Sequence, residues 1–245
     1  MPAAPPHTGA DDGSAFTVTV GIEPGSLAAL GAAGASLFAL PAFASSNRTA
    51  VPLIVEAVHP LSRSHAIRWS GDFGGYASYD DLSAADAAPP RRTIYPGNEE
   101  RVRLGGSVGV GPSLQLLVTA SGTAGAVTFR TTEPGRFTCG LVFGASSRLG
   151  CAATLTAGLD VTFVPLRSIF LMFSTSSFEP RAWVDRSTSP GLLVDLTGSP
   201  TRAVTFNQDT PGGWAEADQA WARAIPAGTS LTELLRHAPQ ANEPW

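Results

Sequence analysis

The sequence predicts a mainly β protein, built as an antiparallel β-sandwich or a flattened barrel, with a short N-terminal helical turn and two C-terminal helices packed on it. Its second half carries strand-like runs with turn residues roughly every eight to twelve positions, which is typical of sandwiches and barrels. With 245 residues, 43% hydrophobic and 15% charged, the chain can bury one large core. We therefore expect a single domain over residues 15–245, preceded by a leader, residues 1–14, that is predicted to be disordered.

The first half of the predicted domain combines strand-like segments with one short helix. FTVTVGIE, residues 16–23, alternates apolar and polar residues and predicts the first strand. In EPGSLAALGAAG, Ser26 is a candidate N-cap and Gly31 or Gly34 a candidate stop for a short helix. The segments SLFALPAFA and VPLIVEAVH predict strands at a sheet edge or a bulge, because proline donates no hydrogen bond to a ladder. A long polar loop is expected over residues 82–100.

The second half predicts a series of strands followed by a helical end. SIFLMFS, residues 168–174, is apolar on both faces, which predicts the middle of a sheet with other layers packed on each side. Segment 213–238 is predicted to be helical, with two helices lying across the sheets. The first helix rests on the helical spacing of Trp214, Ala217, Trp221 and Ile225. The second begins at the capping box that Ser230 forms with Glu233.

The two cysteines, Cys139 and Cys151, lie on successive strand-like runs. Position parity places both sulfur atoms on apolar faces. If the hairpin loop is centred near Ser147, Cys139 lies opposite about residue 155, too far from Cys151 for a direct bridge. Buried free thiols are the favoured interpretation, while a disulfide and a metal-binding or catalytic role stay open.

Composition excludes several classes of chemistry. All sixteen basic residues are arginine, as in proteins from high-GC bacterial genomes, so Schiff-base, P-loop-lysine and kinase mechanisms are excluded. The arginines are scattered and the net charge is −4, so we expect no nucleic-acid partner. The first residues lack a signal-peptide pattern and no apolar run reaches bilayer length. We therefore expect no transmembrane segment, and a protein that is cytoplasmic or exported without a classical signal peptide.

Few residues suggest catalysis. Gly105–Gly109 matches the G-x-S-x-G pattern of a nucleophile elbow, but glycine and proline follow where a helix is needed, which favours a Gly-rich β-turn. His59 and His65, with Asp72 or Asp81, are weak candidates for proton transfer. The spacing of the two histidines fits no standard ligand pattern, so we predict neither a metal nor a cofactor.

An aromatic segment provides the candidate ligand-binding residues. Trp69, Phe73, Tyr76 and Tyr79 are separated by small and polar residues, several of them glycine. Exposed aromatic rings of this kind stack on sugars or insert at a membrane surface, whereas buried ones form ordinary sandwich core. Burial in the core is the favoured interpretation. The alternative, ligand binding by exposed rings, would give the segment a function.

Several blocks of the sequence resemble a family. FTCG, LDVTFVPLRSIFLMFSTS, GLLVDLTG and AVTFNQDTPGGW, together with the spacing of Trp69, Tyr76 and Tyr79, are similar to a group of uncharacterised, mostly β proteins of similar length found in fungi and bacteria. The similarity runs from about Phe16 to Trp214. It implies one continuous, mostly β domain and transfers no activity or site residue.

The sequence therefore favours a non-enzymatic binding or self-assembling β-sandwich that recognises a carbohydrate, a lipid or a partner protein. Formation of a homo-oligomer stays open. One alternative is a small enzyme with an apolar cavity that acts on a hydrophobic small molecule by His/Asp proton transfer. A second alternative is a membrane-active, pore-forming-like β-sandwich. Binding requires exposed aromatic rings, and catalysis requires a pocket lined by His59 or His65.

Overall fold

The computed structural model describes residues 15–80, 82, 93–144 and 148–236. These residues form sixteen strands and two α-helices, so the fold is mainly β as predicted. In chain order the strands are β1 (Ala15–Ile22), β2 (Ser36–Ser45), β3 (Val51–Pro52), β4 (Glu56–Val58), β5 (Ser64–Ser70), β6 (Phe73–Ser78), β7 (Asn98–Val102), β8 (Gly106–Val110), β9 (Leu116–Thr119), β10 (Val127–Thr131), β11 (Arg136–Phe143), β12 (Cys151–Thr156), β13 (Val161–Ser174), β14 (Gly191–Asp195), β15 (Thr201–Phe206) and β16 (Ala222–Ile225). The helices are α1 (Pro24–Ala32) and α2 (Leu231–Arg236).

The strands form three sheets around a shared main core. The first sheet has the order β15-β1-β5, the second β16-β14-β13-β10-β8-β9 with β2 and β4 added on β13, and the third β3-β12-β11-β6-β7. Apolar side chains from all three sheets meet in one cluster, which makes the fold sandwich-like. The described strands close into no barrel, and the pairs β1–β15 and β8–β10 are parallel, so a purely antiparallel sandwich is wrong in this detail.

Strand β13 is the centre of the second sheet, as SIFLMFS predicts. It pairs with β2 along one edge, and with β10 and then β14 along the other. Leu171 and Phe173 point into the main core, while Phe170 and Met172 point into a second apolar cluster that includes residues of α2. Both faces of this strand are therefore buried by packed layers.

Strand β2 departs from the edge position predicted for a proline-containing segment. It lies between β13 and β4 and is almost entirely buried. Pro41 pairs with Ile169, next to a register shift that begins at Pro165 of β13. The ladder is already irregular there, so the missing donor of Pro41 costs little. Strands β3 and β4, which come from VPLIVEAVH, do lie at sheet edges.

Helix α1 confirms the predicted N-terminal helix but not its cap. Glu23 is the N-cap residue, and Pro24 takes the first helical position, where its missing N–H is not needed. Ser26 instead lies buried inside the helix, and its Oγ accepts a hydrogen bond of 2.8 Å from the backbone N–H of Gln208. Gly34, with φ +67°, follows the helix as the predicted stop.

The predicted helix from Trp214 to Ile225 is wrong. Trp214 is only 1% exposed, and its ring lies 5.6 Å from Phe173 and 5.3 Å from Phe206. Gly212 and Gly213, both with positive φ, turn the chain just before it, and β16 then pairs with β14. Tertiary packing and strand pairing thus override the helical spacing.

The second predicted C-terminal helix is α2, where the N–H of Glu233 donates to Ser230 Oγ at 3.4 Å.

The predicted loop 82–100 ends earlier than expected, because Thr93 bridges to Ala182 and β7 starts at Asn98. The leader 1–14, Asp81 and the segments 83–92, 145–147 and 237–245 lie outside the described residues.

Candidate functional site

The four aromatic candidates do not share one exposed surface. Phe73 faces the main core and Tyr76 faces the opposite side of β6, where a separate apolar cluster covers it. Trp69 is half-buried and its ring stacks on Phe16 at 5.6 Å. Phe73 and Tyr76 are thus core residues, as the favoured interpretation predicted. The alternative, one ligand surface made by all four rings, does not fit this arrangement, because strand alternation sends neighbouring rings to different layers.

Tyr76 has a structural role. It is fully buried, and its hydroxyl donates a hydrogen bond of 2.9 Å to the carbonyl oxygen of Cys151. Burial raises the pKa of this phenol well above its ordinary value, and the nearby Cys151 thiol adds to the effect. The ring therefore stays neutral and links β6 to β12.

Tyr79 differs from the other three aromatic residues. It lies just beyond the end of β6 and its side chain is 65% exposed. One part of the ring contacts Phe137 of β11, with a centroid distance of 5.9 Å and an interplanar angle of 45°. The ring therefore rests on the core edge and presents the rest of its surface to solvent.

Tyr95 is a second exposed ring that the sequence analysis missed. It precedes β7 and is 64% exposed. Its backbone N–H donates to Asp80 Oδ2 at 2.6 Å, next in sequence to Tyr79. In the sequence, Tyr95 lies between Ile94 and Pro96. This short segment has neither a strand or helix periodicity nor a motif that would predict an exposed ring.

A polar network fixes the backbone beneath these two rings. Ser78 Oγ lies 2.7 Å from the carbonyl oxygen of Tyr95 and 2.9 Å from Asp80 Oδ2, and one of these takes its single proton. The backbone N–H of Asp80 donates to the same Ser78 Oγ at 3.0 Å. The hydroxyl of Thr138 donates to the carbonyl oxygen of Asp80 at 2.5 Å. These hydrogen bonds join the end of β6 to β11 and to the segment before β7. We call the two exposed residues on the joined segments, Tyr79 and Tyr95, the tyrosine surface.

The catalytic candidates are not gathered into one pocket. His59 is exposed, with Nδ1 3.4 Å from the carbonyl oxygen of Ala35, and His65 Nε2 accepts a hydrogen bond of 2.7 Å from the N–H of Ser62. Neither histidine lines the surface clefts of about 460, 420 and 220 Å³. Asp72 is exposed at the smallest of these clefts, and Asp81 lies outside the described residues. Among the described residues, His59, His65 and Asp72 therefore share no cleft in which the proposed His/Asp proton transfer could occur.

The cysteines are free thiols buried in the main core, on the faces that parity predicts. Cys139 lies opposite Ala153, so the hairpin register differs by two residues from the prediction, and the sulfurs are not joined. Burial raises the pKa of Cys151 to about 12 and that of Cys139 well above its ordinary value. Within the part of the chain that the structure describes, no group of three His, Cys, Asp or Glu side chains could hold a metal ion.

Comparison with known proteins finds no relative. No protein-family model, curated protein or solved structure matches the chain. The described helices include none long and apolar enough to cross a membrane.

Proposed function

We propose that this protein is a non-enzymatic binding protein that recognises a carbohydrate through the tyrosine surface. The observation that carries the proposal is the exposure of Tyr79 and Tyr95, at 65% and 64%, on backbone segments that a partly buried hydrogen-bond network centred on Asp80 joins. Each of these rings offers a ligand an apolar face and a hydroxyl group from a hydrogen-bonded backbone.

Ring chemistry and rigidity both favour a sugar. The apolar face of a pyranose packs on an aromatic ring, while the phenol hydroxyl remains free to exchange hydrogen bonds with sugar hydroxyls. Because Ser78, Asp80 and Thr138 fix the backbone, binding has to order only the two side chains. Preorganisation of this kind lowers the entropic cost of binding.

Charge disfavours the lipid alternative. The chain has a net charge of −4, which repels anionic lipid surfaces, and the aromatic residues needed for insertion at a membrane are divided between core and surface. A partner protein would use the same two rings as anchors, since tyrosine is enriched at interface hot spots.

Binding of a panel of neutral oligosaccharides, measured by calorimetry on the wild type and on Tyr79→Ala and Tyr95→Ala, tests the proposal. We expect at least one sugar to bind, and each alanine variant to lose roughly fivefold or more in affinity, since one stacked ring contributes about 1 kcal/mol. Leu159→Ala is the matched control, because Leu159 is 63% exposed and takes no part in the hydrogen bonds that join Tyr79 and Tyr95. Sugar binding that both tyrosine variants retain would contradict the proposed site.

A second candidate function is self-assembly through β9. This strand ends the second sheet, and its Leu117 and Val118 are 64% and 39% exposed. It carries none of the charges with which natural proteins protect an edge. A second copy of the chain could pair with this edge and cover both side chains.

A further inference from the structure

A separate cleft carries a second binding site, and we propose that it takes the carboxylate or phosphate group of a metabolite-sized ligand. The cleft has a volume of about 460 Å³, within the range of small-molecule sites. Its charged lining residues are Glu56 of β4, Arg148 before β12, and Arg181. It shares no lining residue with the tyrosine surface, so this proposal is independent of the carbohydrate proposal.

Arg181 has a backbone conformation that glycine adopts without strain and other residues rarely adopt. The N–H of Ala182 donates to the carbonyl oxygen of Glu179 at 3.1 Å, which closes a turn with Pro180 and Arg181 at its centre. Proline followed by a residue with positive φ matches a type II turn, and the third position of that turn ordinarily holds glycine or asparagine. Arg181 has φ +71° there. An arginine therefore occupies a strained backbone position, and strained positions of this kind cluster at ligand sites.

The surrounding chain holds Arg181 in this conformation. Its N–H donates to the carbonyl oxygen of Ile54 at 2.7 Å, and its own carbonyl oxygen accepts from the N–H of Ile94 at 3.2 Å. Ile54 in turn donates to Ala182 at 3.0 Å. Hydrogen bonds to the segments at Ile54 and Ile94 therefore hold the backbone that carries the guanidinium.

The charges in the cleft leave Arg181 available to an anion. Arg148 Nη1 lies 3.3 Å from Glu56 Oε2, so those two charges offset one another, and the same Nη1 donates to the carbonyl oxygen of Arg68. The half-buried side chain of Arg181 has no hydrogen-bond or ion-pair partner among the described residues. The lining thus has one net positive charge on a chain of net charge −4. A carboxylate or phosphate oxygen satisfies this arginine with charge-assisted hydrogen bonds.

Binding of inorganic phosphate and of glucuronate, with neutral glucose as comparator, tests the site by calorimetry at low ionic strength. We expect at least one of the two anions to bind saturably and more tightly than glucose, and the preference between them distinguishes a phosphate ligand from a carboxylate ligand. Arg181→Gln should weaken that binding by about tenfold or more, since a charge-assisted pair is lost. Arg130→Gln is the matched control, because its guanidinium pairs with Asp160 outside the cleft.

Arg181→Gly separates the role of the side chain from that of the backbone. It should lose anion binding as Arg181→Gln does, yet raise the melting temperature above that of the glutamine variant, because glycine adopts positive φ without strain. Absence of saturable binding for both anions, or equal binding by the wild type and Arg181→Gln, would overturn the proposal. Carbohydrate binding at the tyrosine surface should be unchanged in both variants, so failure of one site leaves the other standing.

Discussion

The side chains that look most reactive in the sequence are held inert by burial. Cys139 and Cys151 lie in the main core without a bridge, and burial raises the pKa of each thiol. We expect both to resist alkylation by iodoacetamide at pH 8.5 in the folded protein and to react at once in denaturant, since only the thiolate is nucleophilic. Mass spectrometry of the alkylated chain measures this. Rapid double labelling of the native protein would contradict the buried geometry.

The same pKa shifts make alkaline pH destabilising. Well below the ordinary thiol pKa of about 8.5, these thiols are protonated in both the folded and the unfolded chain, so they add no pH dependence there. Between about pH 9 and 12 the unfolded chain releases protons that the folded chain retains, and the free energy of unfolding should fall by up to about 1.4 kcal/mol per pH unit per thiol. Urea denaturation at pH 8 and pH 10 measures the slope. A Cys151→Ala variant should show a shallower decline, and an identical slope would contradict burial of this thiol as its cause.

At the residue scale, parity predicted some positions well and others not at all. It placed both sulfurs on the apolar face, because alternation follows directly from strand geometry. It could not separate Tyr76, which is buried, from Tyr79, which is exposed, because that difference depends on where the covering layers end. Tyr95 was missed for the same reason, since its exposure and anchoring come from Asp80 and Ser78, which are distant in sequence.

At the element scale, the β11–β12 hairpin shows how closely two strands approach in this core. A Cβ added to Gly140 would lie 1.9 Å from the carbonyl oxygen of Cys151 and 2.8 Å from Tyr76 Cε1. Gly140→Ala should therefore lower the free energy of unfolding by about 1–3 kcal/mol or more. Gly31→Ala in α1 is the control, because nothing lies within 4 Å of its added Cβ, and it should be neutral or stabilising. Equal stability of the two variants would contradict this close approach.

The exposed edge at β9 gives an element-scale prediction of assembly. If a second copy covers Leu117 and Val118, the wild type should sediment as an oligomer at micromolar concentration, and Leu117→Arg should be monomeric. Leu159→Arg, a substitution at an equally exposed position, should leave the assembly intact. A wild-type protein that sediments as a monomer would remove this candidate function.

The wrong helix at residues 214–225 shows the limit of periodicity. The spacing of its apolar residues fits a helix, but Trp214 fills a place against Phe173 and Phe206, and residues 222–225 complete the edge of the second sheet. Strand β13, in contrast, was predicted correctly, because a strand that is apolar on both faces is stable only where other layers cover both of them. The local sequence pattern thus predicted a strand that is buried on both faces. It failed for residues 214–225, whose conformation depends on contacts with residues distant in sequence.

At the scale of the whole molecule, the mainly β class followed from composition and turn spacing, but the sheet arrangement did not. The pairing of β1 with β15 joins residues 17–22 to residues 201–206, and no local pattern encodes such a contact. The result is one core to which all three sheets contribute, with the tyrosine surface and the Arg181 cleft formed by different residues at its exterior. In the proposed function, the packed sheets support the two candidate binding sites, which lie at turns and strand ends.

Tyrosine-specific NMR tests the central claim, carbohydrate binding at the tyrosine surface, most directly. The chain has three tyrosines, Tyr76, Tyr79 and Tyr95, so ring-labelled protein provides two reporters on the surface and one in the core. Tyr79→Phe and Tyr95→Phe assign the surface signals. On titration with an oligosaccharide that binds, we expect the ring signals of Tyr79 and Tyr95 to shift together, while that of Tyr76 stays in place. Saturable binding that leaves both surface signals unmoved would contradict it.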